Sequence, residues 1–353
     1  MATGASGSGR KRRAKEQPNQ DSIKSNPLIW EQAVQQPEAY TKHVQTLRAR
    51  LGDDQGQIGR FVESEDYDGL LTSTQQIVTS ALGAKSATEK GTDTRFWDPI
   101  YESLSLIANC CHCCRQAAVL AKNRKIHLVL DSVLSGSSST RMELIDVRAR
   151  QAACRLAANL TIGNVELTLA LITHSNHSIV RSICTLLSDA KYETETKLLQ
   201  LAVRVIQSIC HHIYKHKWTD YQAELKAYTA MKKQILASLF ACDVASALTH
   251  VFVKRASAFY NSTRIKVDGR LRHRQAEEVN AGLMLYHLLC DEPVICARQM
   301  AAVQGCAEVL IEQAFTPEPI VFEDYCFVAC MYGLNGFLLT KSVWSLGLAS
   351  NLK

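Results

Sequence analysis

Apolar residues recur at three- and four-residue spacing along most of the central chain, which is the pattern of helices that bury one face. There is no Pro between Pro99 and Pro293 and no Gly between Gly163 and Gly269. A sheet-rich domain would need such turn residues in this region, so the pattern predicts an all-α protein. The segment 196–218 is the clearest predicted helix. Its apolar stripe consists of Leu198, Leu201, Ala202, Val205, Ile206, Ile209 and Ile213.

A short motif repeats within the helical region. The segments 106–110 and 156–160 share the pattern Leu-x-Ala-Asn-apolar, and their residues Asn109 and Asn159 are 50 residues apart. A weaker copy at 205–210 lacks the Asn. Because one helical hairpin cannot bury its apolar stripe alone, a repeated unit of this kind predicts helices that stack on their neighbours.

Each of the first two copies is followed by a break and two shorter helices. The same order of parts recurs at 281–315, where Asp291-Glu292-Pro293 forms the break and Gly305 begins the last helix. The shorter helices are predicted at 116–121 and 126–134, at 166–172 and 179–187, and at 296–302.

This order of parts resembles the armadillo repeat, in which a long third helix with a Leu-x-Asn-Leu-like end runs into a short first helix and a Gly-initiated second helix. The resemblance covers residues 97–315, and it extends to 26–83 only by helical character. The Gly-Gly that usually separates the first two helices is reduced to Gly305 or replaced by Lys125 and His177. The resemblance implies a right-handed helical solenoid, which we expect over residues 26–353.

The positive charge of the chain is concentrated in two segments. The net charge is +6, yet residues 1–25 hold six Lys and Arg against two acidic residues, and residues 254–274 hold seven against one. The rest of the chain is therefore slightly acidic. This distribution argues against a nucleic-acid binder with a broad basic face.

The first 25 residues are rich in Gly, Ser and charge and are predicted to be a disordered basic tail. Its cations form a run similar to a nuclear-localisation signal, which an import receptor could bind, whereas the alternative is a solvated tail without a receptor. The candidate residues are Arg10, Lys11, Arg12, Arg13 and Lys15.

The segment 254–274 is predicted to be a long loop between helices because it contains Asn261-Ser262-Thr263 and Gly269. Its charge would suit an acidic protein segment, a phosphopeptide or nucleic-acid phosphate, and the alternative is a disordered insertion. The candidate partner-binding residues are Arg264, Lys266, Arg270, Arg272 and Arg274.

Asn109 and Asn159 are further candidates for partner binding. The resemblance implies that third-helix Asn side chains line a concave groove and hold the backbone of an extended peptide, because an amide both donates and accepts hydrogen bonds. The alternative is that each amide caps the end of its own helix.

The run Cys110-Cys111-His112-Cys113-Cys114 could supply thiolate ligands to zinc, with His212 and His216 as a second ligand pair. The alternative, which we prefer, is that these Cys are small core residues at a helix end. The sequence contains no phosphate loop, dinucleotide fingerprint, zinc-protease motif or serine-nucleophile turn. We therefore expect no cofactor, no metal and no enzymatic activity.

The chain has no hydrophobic signal segment at its start and an odd number of Cys, 13, so we expect an intracellular protein in the cytoplasm, the nucleus or both. Its longest charge-free apolar run, residues 325–340, is shorter than the ~18 to 20 residues that a spanning helix requires, and no membrane association is expected.

The preferred function is a non-catalytic adaptor or scaffold that binds a protein partner on a helical-repeat surface. One alternative is a nucleic-acid-associated protein that uses the basic tail and loop. Another is a regulatory subunit that docks on an enzyme through the apolar residues 325–339 and Trp344. The simpler interpretation of that run, which we prefer, is that it caps the helical stack.

Overall fold

In the computed structural model, the structure describes residues 27–83, 96–135, 146–162, 164–214, 221–262 and 276–308. Within these ranges the chain forms α-helices and a 3-10 turn, Ala190–Tyr192, and contains no strand, which confirms the all-α prediction. The helices are α1 (Pro27–Glu31), α2 (Pro37–Leu51), α3 (Gln55–Val62), α4 (Glu65–Gly83), α5 (Trp97–Cys113), α6 (Arg115–Asn123), α7 (Ile126–Ser135), α8 (Val147–Thr161), α9 (Val165–Thr173), α10 (Ser178–Ser188), α11 (Thr196–Tyr214), α12 (Tyr221–Phe240), α13 (Val244–Ser262), α14 (Ala276–Asp291) and α15 (Pro293–Ala301).

Two series of helices, each made of every third helix along the chain, pack in sequential order. Helices α2, α5, α8, α11 and α14 contact one another in this order, and we call them the long-helix row. Helices α4, α7, α10 and α13 form a second row in the same way, and each contacts the long helix that follows it in the chain. The short helices α6 and α9 connect the two rows, in agreement with the predicted helices at 116–121 and 166–172.

The core runs continuously between the two rows. Helix α8 lies in its middle, packed between α5 and α11, and it buries small side chains such as Ala149, Ala153 and Ala157. Small residues allow helix backbones to approach closely. The predicted stripe of α11 is buried as well, apart from the half-buried Leu201.

The N-terminal helices follow the same order of parts, which the sequence indicated only by their helical character. The carboxylate of Asp54 accepts a hydrogen bond from Gln57 N at 3.0 Å and so begins α3. Helix α2 is joined to α5 by a buried hydrogen bond of 2.8 Å between the hydroxyls of Tyr40 and Ser103. Helix α2 therefore belongs to the long-helix row.

Several turns between the helices contain a residue with a left-handed backbone. Lys125, His177 and Gly305 have φ of 53°, 67° and 80°, a conformation that Gly adopts without strain. Asp243 has a φ of 54° at the corresponding turn between α12 and α13, and the sequence reasoning missed it.

The predicted loop 254–274 is wrong in its first part, because α13 extends to Ser262. No Gly or Pro interrupts the chain before Gly269, and Lys254, Arg255 and the alanines after them are compatible with a continuing helix. Residues 263–275 lie outside the described part of the chain.

Within the described ranges, no single helix is both long and apolar enough to cross a membrane. The segments Leu225–Phe240 and Val244–Val253 meet the criterion of length and composition only as a pair that bends by 62°.

Candidate anion-binding site

The structure places Asn159 inside the protein. Its side chain is 5% exposed, and its Nδ2 donates a hydrogen bond of 2.8 Å to the carbonyl oxygen of Ala108 on α5. The amide therefore neither lines an open surface nor caps its own helix. Its bond joins two neighbouring members of the long-helix row.

Asn109 is half-buried, and its Oδ1 accepts a hydrogen bond from the guanidinium of Arg155. The two motif asparagines thus both serve the contact between α5 and α8. Asn109 differs from Asn159 in that it lies at the surface of the row, where it holds a cation in place.

Arg155 on α8 interacts electrostatically with arginines of two other helices of the long-helix row. Partial burial lowers its pKa, and the charges of Arg48 on α2 and Arg204 on α11 lower it further, while Tyr101 and Asp53 oppose the shift. The helices that carry these residues are linked through the row, because α2 contacts α5, α5 contacts α8 and α8 contacts α11. We call Arg48, Arg155 and Arg204, which come from three different helices, the arginine cluster.

Arg48 is held at the edge of the cluster by an ion pair of 2.9 Å with Glu102, a buried carboxylate on α5 that also accepts a hydrogen bond from Gln45. The ring of Tyr101 lies between two cations, with the guanidinium carbons of Arg48 and Arg148 at 5.8 and 5.7 Å from its centroid. Such contacts fix the positions of long side chains.

The members of the cluster differ in charge compensation. Arg48 has Glu102, and Arg148 beside it has Asp98 at 2.8 Å. Among the residues that the structure describes, neither Arg155 nor Arg204 has a carboxylate within ion-pair distance. The cluster therefore presents guanidinium donors and positive charge to a ligand, a combination that suits carboxylate or phosphate groups.

The cysteine run lies at the end of α5. Cys110 and Cys111 are buried, and burial raises the pKa of Cys111 to about 12 and that of Cys110 further still. The hydroxyl of Tyr67 lies 3.9 Å from Cys111 Sγ. A raised pKa disfavours the thiolate that metals and nucleophilic catalysis require.

The proposed second ligand pair has other partners. His212 is buried, and its Nε2 lies 2.7 Å from the carbonyl oxygen of Thr161 and 3.0 Å from the hydroxyl of Thr168. His216 lies outside the described residues. In the part of the chain that is described, no three His, Cys, Asp or Glu side chains are grouped so that they could hold a metal ion.

The basic candidates from the sequence fall outside the described residues. This applies both to the nuclear-localisation candidates Arg10, Lys11, Arg12, Arg13 and Lys15 and to the loop candidates Arg264, Lys266, Arg270, Arg272 and Arg274. They stay predictions.

A groove of about 460 Å³ lies on the second row, between α4 and α7. Its lining includes Gln75, Thr79 and Leu128, and Arg124 at its edge is paired with Asp68 at 2.5 Å. Arg124 is therefore already neutralised by a carboxylate, in contrast to Arg155 and Arg204 of the arginine cluster.

Sequence reasoning missed Arg48, Tyr101, Arg155 and Arg204. One signal was present, because Arg155 and Arg204 are 49 residues apart, close to the spacing of the repeated motif. Comparison of the chain with models of protein families, with curated proteins and with solved structures finds no match.

Proposed function

We propose that the helical stack is a right-handed, armadillo-like solenoid and that the protein is a non-catalytic adaptor or scaffold in the cytoplasm or nucleus. Two features support the solenoid. Equivalent helices contact each other along the chain, and the turns at Lys125, His177, Asp243 and Gly305 each contain a left-handed residue. Both are expected of stacked repeats with a common backbone plan.

The observation that carries the binding function is the arginine cluster on the surface of the long-helix row. Its members come from α2, α8 and α11, with Tyr101 and Asn109 of α5 between them. Four row helices at about 9 Å spacing span roughly 30 to 40 Å, which an extended segment of about 10 residues covers. The partner is then an extended protein segment with an anionic side chain at the cluster.

The two other functions considered from the sequence depend on residues outside the described ranges. The tail and loop cations would carry nucleic-acid binding, and residues 325–339 with Trp344 would carry docking on an enzyme. The cluster itself favours a protein segment, because Asp53, Asp98 and Glu102 surround it. Carboxylates at such positions repel a continuous polyanion.

The test is selection from a phage-displayed library of random peptides about 12 residues long, a length that exceeds the span of the row. The full chain is the bait, and selected peptides are measured by fluorescence anisotropy against wild type and a double variant, Arg155→Gln with Arg204→Gln. We expect peptides with an acidic residue, and a loss of about tenfold or more in affinity in the variant.

A matched control replaces two cations that lie away from the long-helix row, Lys122→Gln and Arg124→Gln. Both are paired with carboxylates, Glu166 and Asp68, so the control removes the same charge without touching the cluster. Selected peptides that bind the cluster variant as tightly as wild type would place the site elsewhere. If the library yields no specific peptide, the adaptor proposal is wrong.

A further inference from the structure

The turn between α9 and α10, residues 174–177, has a backbone that is disfavoured for its sequence. Ser175, Asn176 and His177 have φ of 43°, 55° and 67°, so all three lie in the left-handed region. Residues with a Cβ adopt this region at a cost, and they normally do so singly. Such a run is retained only where contacts from outside the turn hold it in place.

Asp131 of α7 holds the turn from outside. Its Oδ2 lies 3.3 Å from Nε2 of His174, and its Oδ1 accepts a hydrogen bond from the hydroxyl of Ser178. One carboxylate therefore contacts both ends of the turn. A backbone hydrogen bond of 3.1 Å from Ser178 N to the carbonyl oxygen of His174 closes it.

A second histidine packs against His174 at the same place. The rings of His127 and His174 have centroids 5.0 Å apart and planes at 69°, an edge-to-face contact. His127 lies one helical turn before Asp131 on α7, and both histidines are half-buried. When both rings are protonated, two positive charges face each other at this distance, with Asp131 as the carboxylate that they share.

The surroundings of His127 disfavour its charged form. Burial lowers its pKa from 6.5, His174 and Lys125 lower it further, and Asp131 opposes them. Helices α4, α6, α8 and α10 also contact α7, and none of their described residues adds to this balance.

The other polar groups of the turn make contacts on its own side. Arg181 of α10 donates to the carbonyl oxygen of Asn176 at 3.4 Å, and His177 Nδ1 lies 2.7 Å from the carbonyl oxygen of Ile172. The thiol of Cys242, in the segment before α13, donates to the carbonyl oxygen of His177 at 3.8 Å. The polar attachment of the turn to α7 therefore depends on Asp131.

We propose that His127 and His174 form a pH-sensitive contact that releases the turn 174–177 from α7 in mild acid. Near neutral pH the uncharged rings pack together and Asp131 holds the turn. Protonation of both rings makes them repel, and the disfavoured backbone of 175–177 relaxes once the turn has separated from α7. The contact lies on the second row, so this inference does not depend on the arginine cluster or on the adaptor function.

The test is hydrogen–deuterium exchange of the full chain at about pH 7.5 and pH 5.5, on either side of the ordinary His pKa, measured by mass spectrometry. Rates are expressed as protection factors, which remove the pH dependence of exchange in an unstructured peptide. We expect peptides with the amides of Ser178 and Arg181, whose backbone hydrogen bonds lie at the turn, to lose protection by about threefold or more at the lower pH. Amides of the central helix α8 are the reference and should change less.

Two variants and a matched control locate the effect. In His127→Gln, which removes one charge of the pair, we expect the turn to be equally protected at both pH values. His174→Gln should behave in the same way, and it keeps the test decisive if circular dichroism shows that His127→Gln does not fold. The control is His43→Gln on α2, because burial also lowers the pKa of His43 while its ring contacts Trp30. The control should retain the pH dependence of the wild type.

Three results would overturn the proposal. Protection of the turn that does not change with pH in the wild type would mean that His127 takes up its proton without moving the turn. An equal loss of protection in α8 and in the turn would mean that acid acts on the whole fold. A loss of protection at the turn that persists in both His127→Gln and His174→Gln would mean that other groups cause it.

Discussion

Helix α8 carries two arginines five residues apart that have opposite environments. Arg150 is fully buried, donates to the hydroxyl of Tyr192 and holds its guanidinium carbon 5.3 Å from the centroid of that ring. Arg155 lies at the surface of the long-helix row, bonded to Asn109. Five residues correspond to about 140° around a helix, so the two side chains leave α8 on different faces.

The comparison shows how burial decides what a polar side chain does. Burying a cation costs free energy, and accordingly burial lowers the pKa of Arg150, while Tyr192, Cys154 and Asp189 favour its charged form. Its contacts with Tyr192 offset this cost and connect α8 to the 3-10 turn before α11. Arg155 is only half-buried, so part of its guanidinium can reach a ligand.

The strongest test of this contrast is Arg150→Ala. We expect the free energy of unfolding to fall by about 3 kcal/mol or more, because the change leaves a cavity and removes one hydrogen bond to the buried Tyr192 hydroxyl. Arg150→Met should cost less, since it keeps most of the volume and buries no charge. Urea unfolding followed by circular dichroism measures both. A loss for Arg150→Ala no larger than that for Arg155→Ala would contradict the contrast.

The two motif asparagines extend the comparison to neutral side chains. Asn159→Ala should lower the free energy of unfolding by about 1 to 2 kcal/mol, because the buried hydrogen bond between α8 and the carbonyl of Ala108 on α5 is lost. Asn109→Ala, at the surface, should cost no more than about 0.5 kcal/mol. The same unfolding experiment compares them, and equal losses would show that burial does not separate their roles.

For Arg155→Ala we expect little effect on stability, within about 0.5 kcal/mol, because its charge is repelled by Arg48 and Arg204 in the free protein. The same variant should lose the binding of selected peptides by about tenfold or more. Thermal unfolding and anisotropy on one preparation provide both numbers. A large loss of stability would mean that Arg155, like Arg150, holds the fold together.

The smallest expected effect concerns His127, a half-buried residue on α7. Burial, the adjacent His174 and Lys125 lower its pKa from 6.5. The unfolded chain therefore takes up the proton more readily than the folded protein, and stability falls as pH decreases from above 6.5 to the lowered pKa of the folded state.

His127→Gln should make the thermal unfolding temperature less sensitive to pH over that range. His43 and His287, whose pKa values are also lowered by burial, keep some dependence in the variant. Unfolding curves at about pH 7.5 and pH 5.5, on either side of the ordinary His pKa, test this. If the pH dependence of the unfolding temperature is unchanged in His127→Gln, His127 does not contribute to it.

Much of the fold could be read from the sequence because its determinants are local. Apolar spacing predicted α6, α7, α9 and α10 within a residue or two. Lys125 and His177, which replace the Gly-Gly of the resemblance, have a left-handed backbone that the sequence reasoning did not predict. The loop at 254–274 failed in its first part for the opposite reason. Its polar residues suggested a turn, but nothing in the chain stops α13 before Ser262.

The candidate site was harder to predict, since it depends on distances between helices. The repeated motif drew attention to Asn109 and Asn159 equally, yet only the packing of α5 on α8 buries one and leaves the other beside Arg155. No local pattern distinguishes the two amides. Their exposure is set by neighbours that are about 50 residues away in the chain.

The sequence by itself determined that this protein is helical, because periodicity and backbone propensity act over a few residues. Only the tertiary structure decided that Arg155 lies at the surface beside Asn109 while Arg150 is buried. That outcome depends on the register in which α2, α5, α8 and α11 stack, and the register follows from the packing of the whole core.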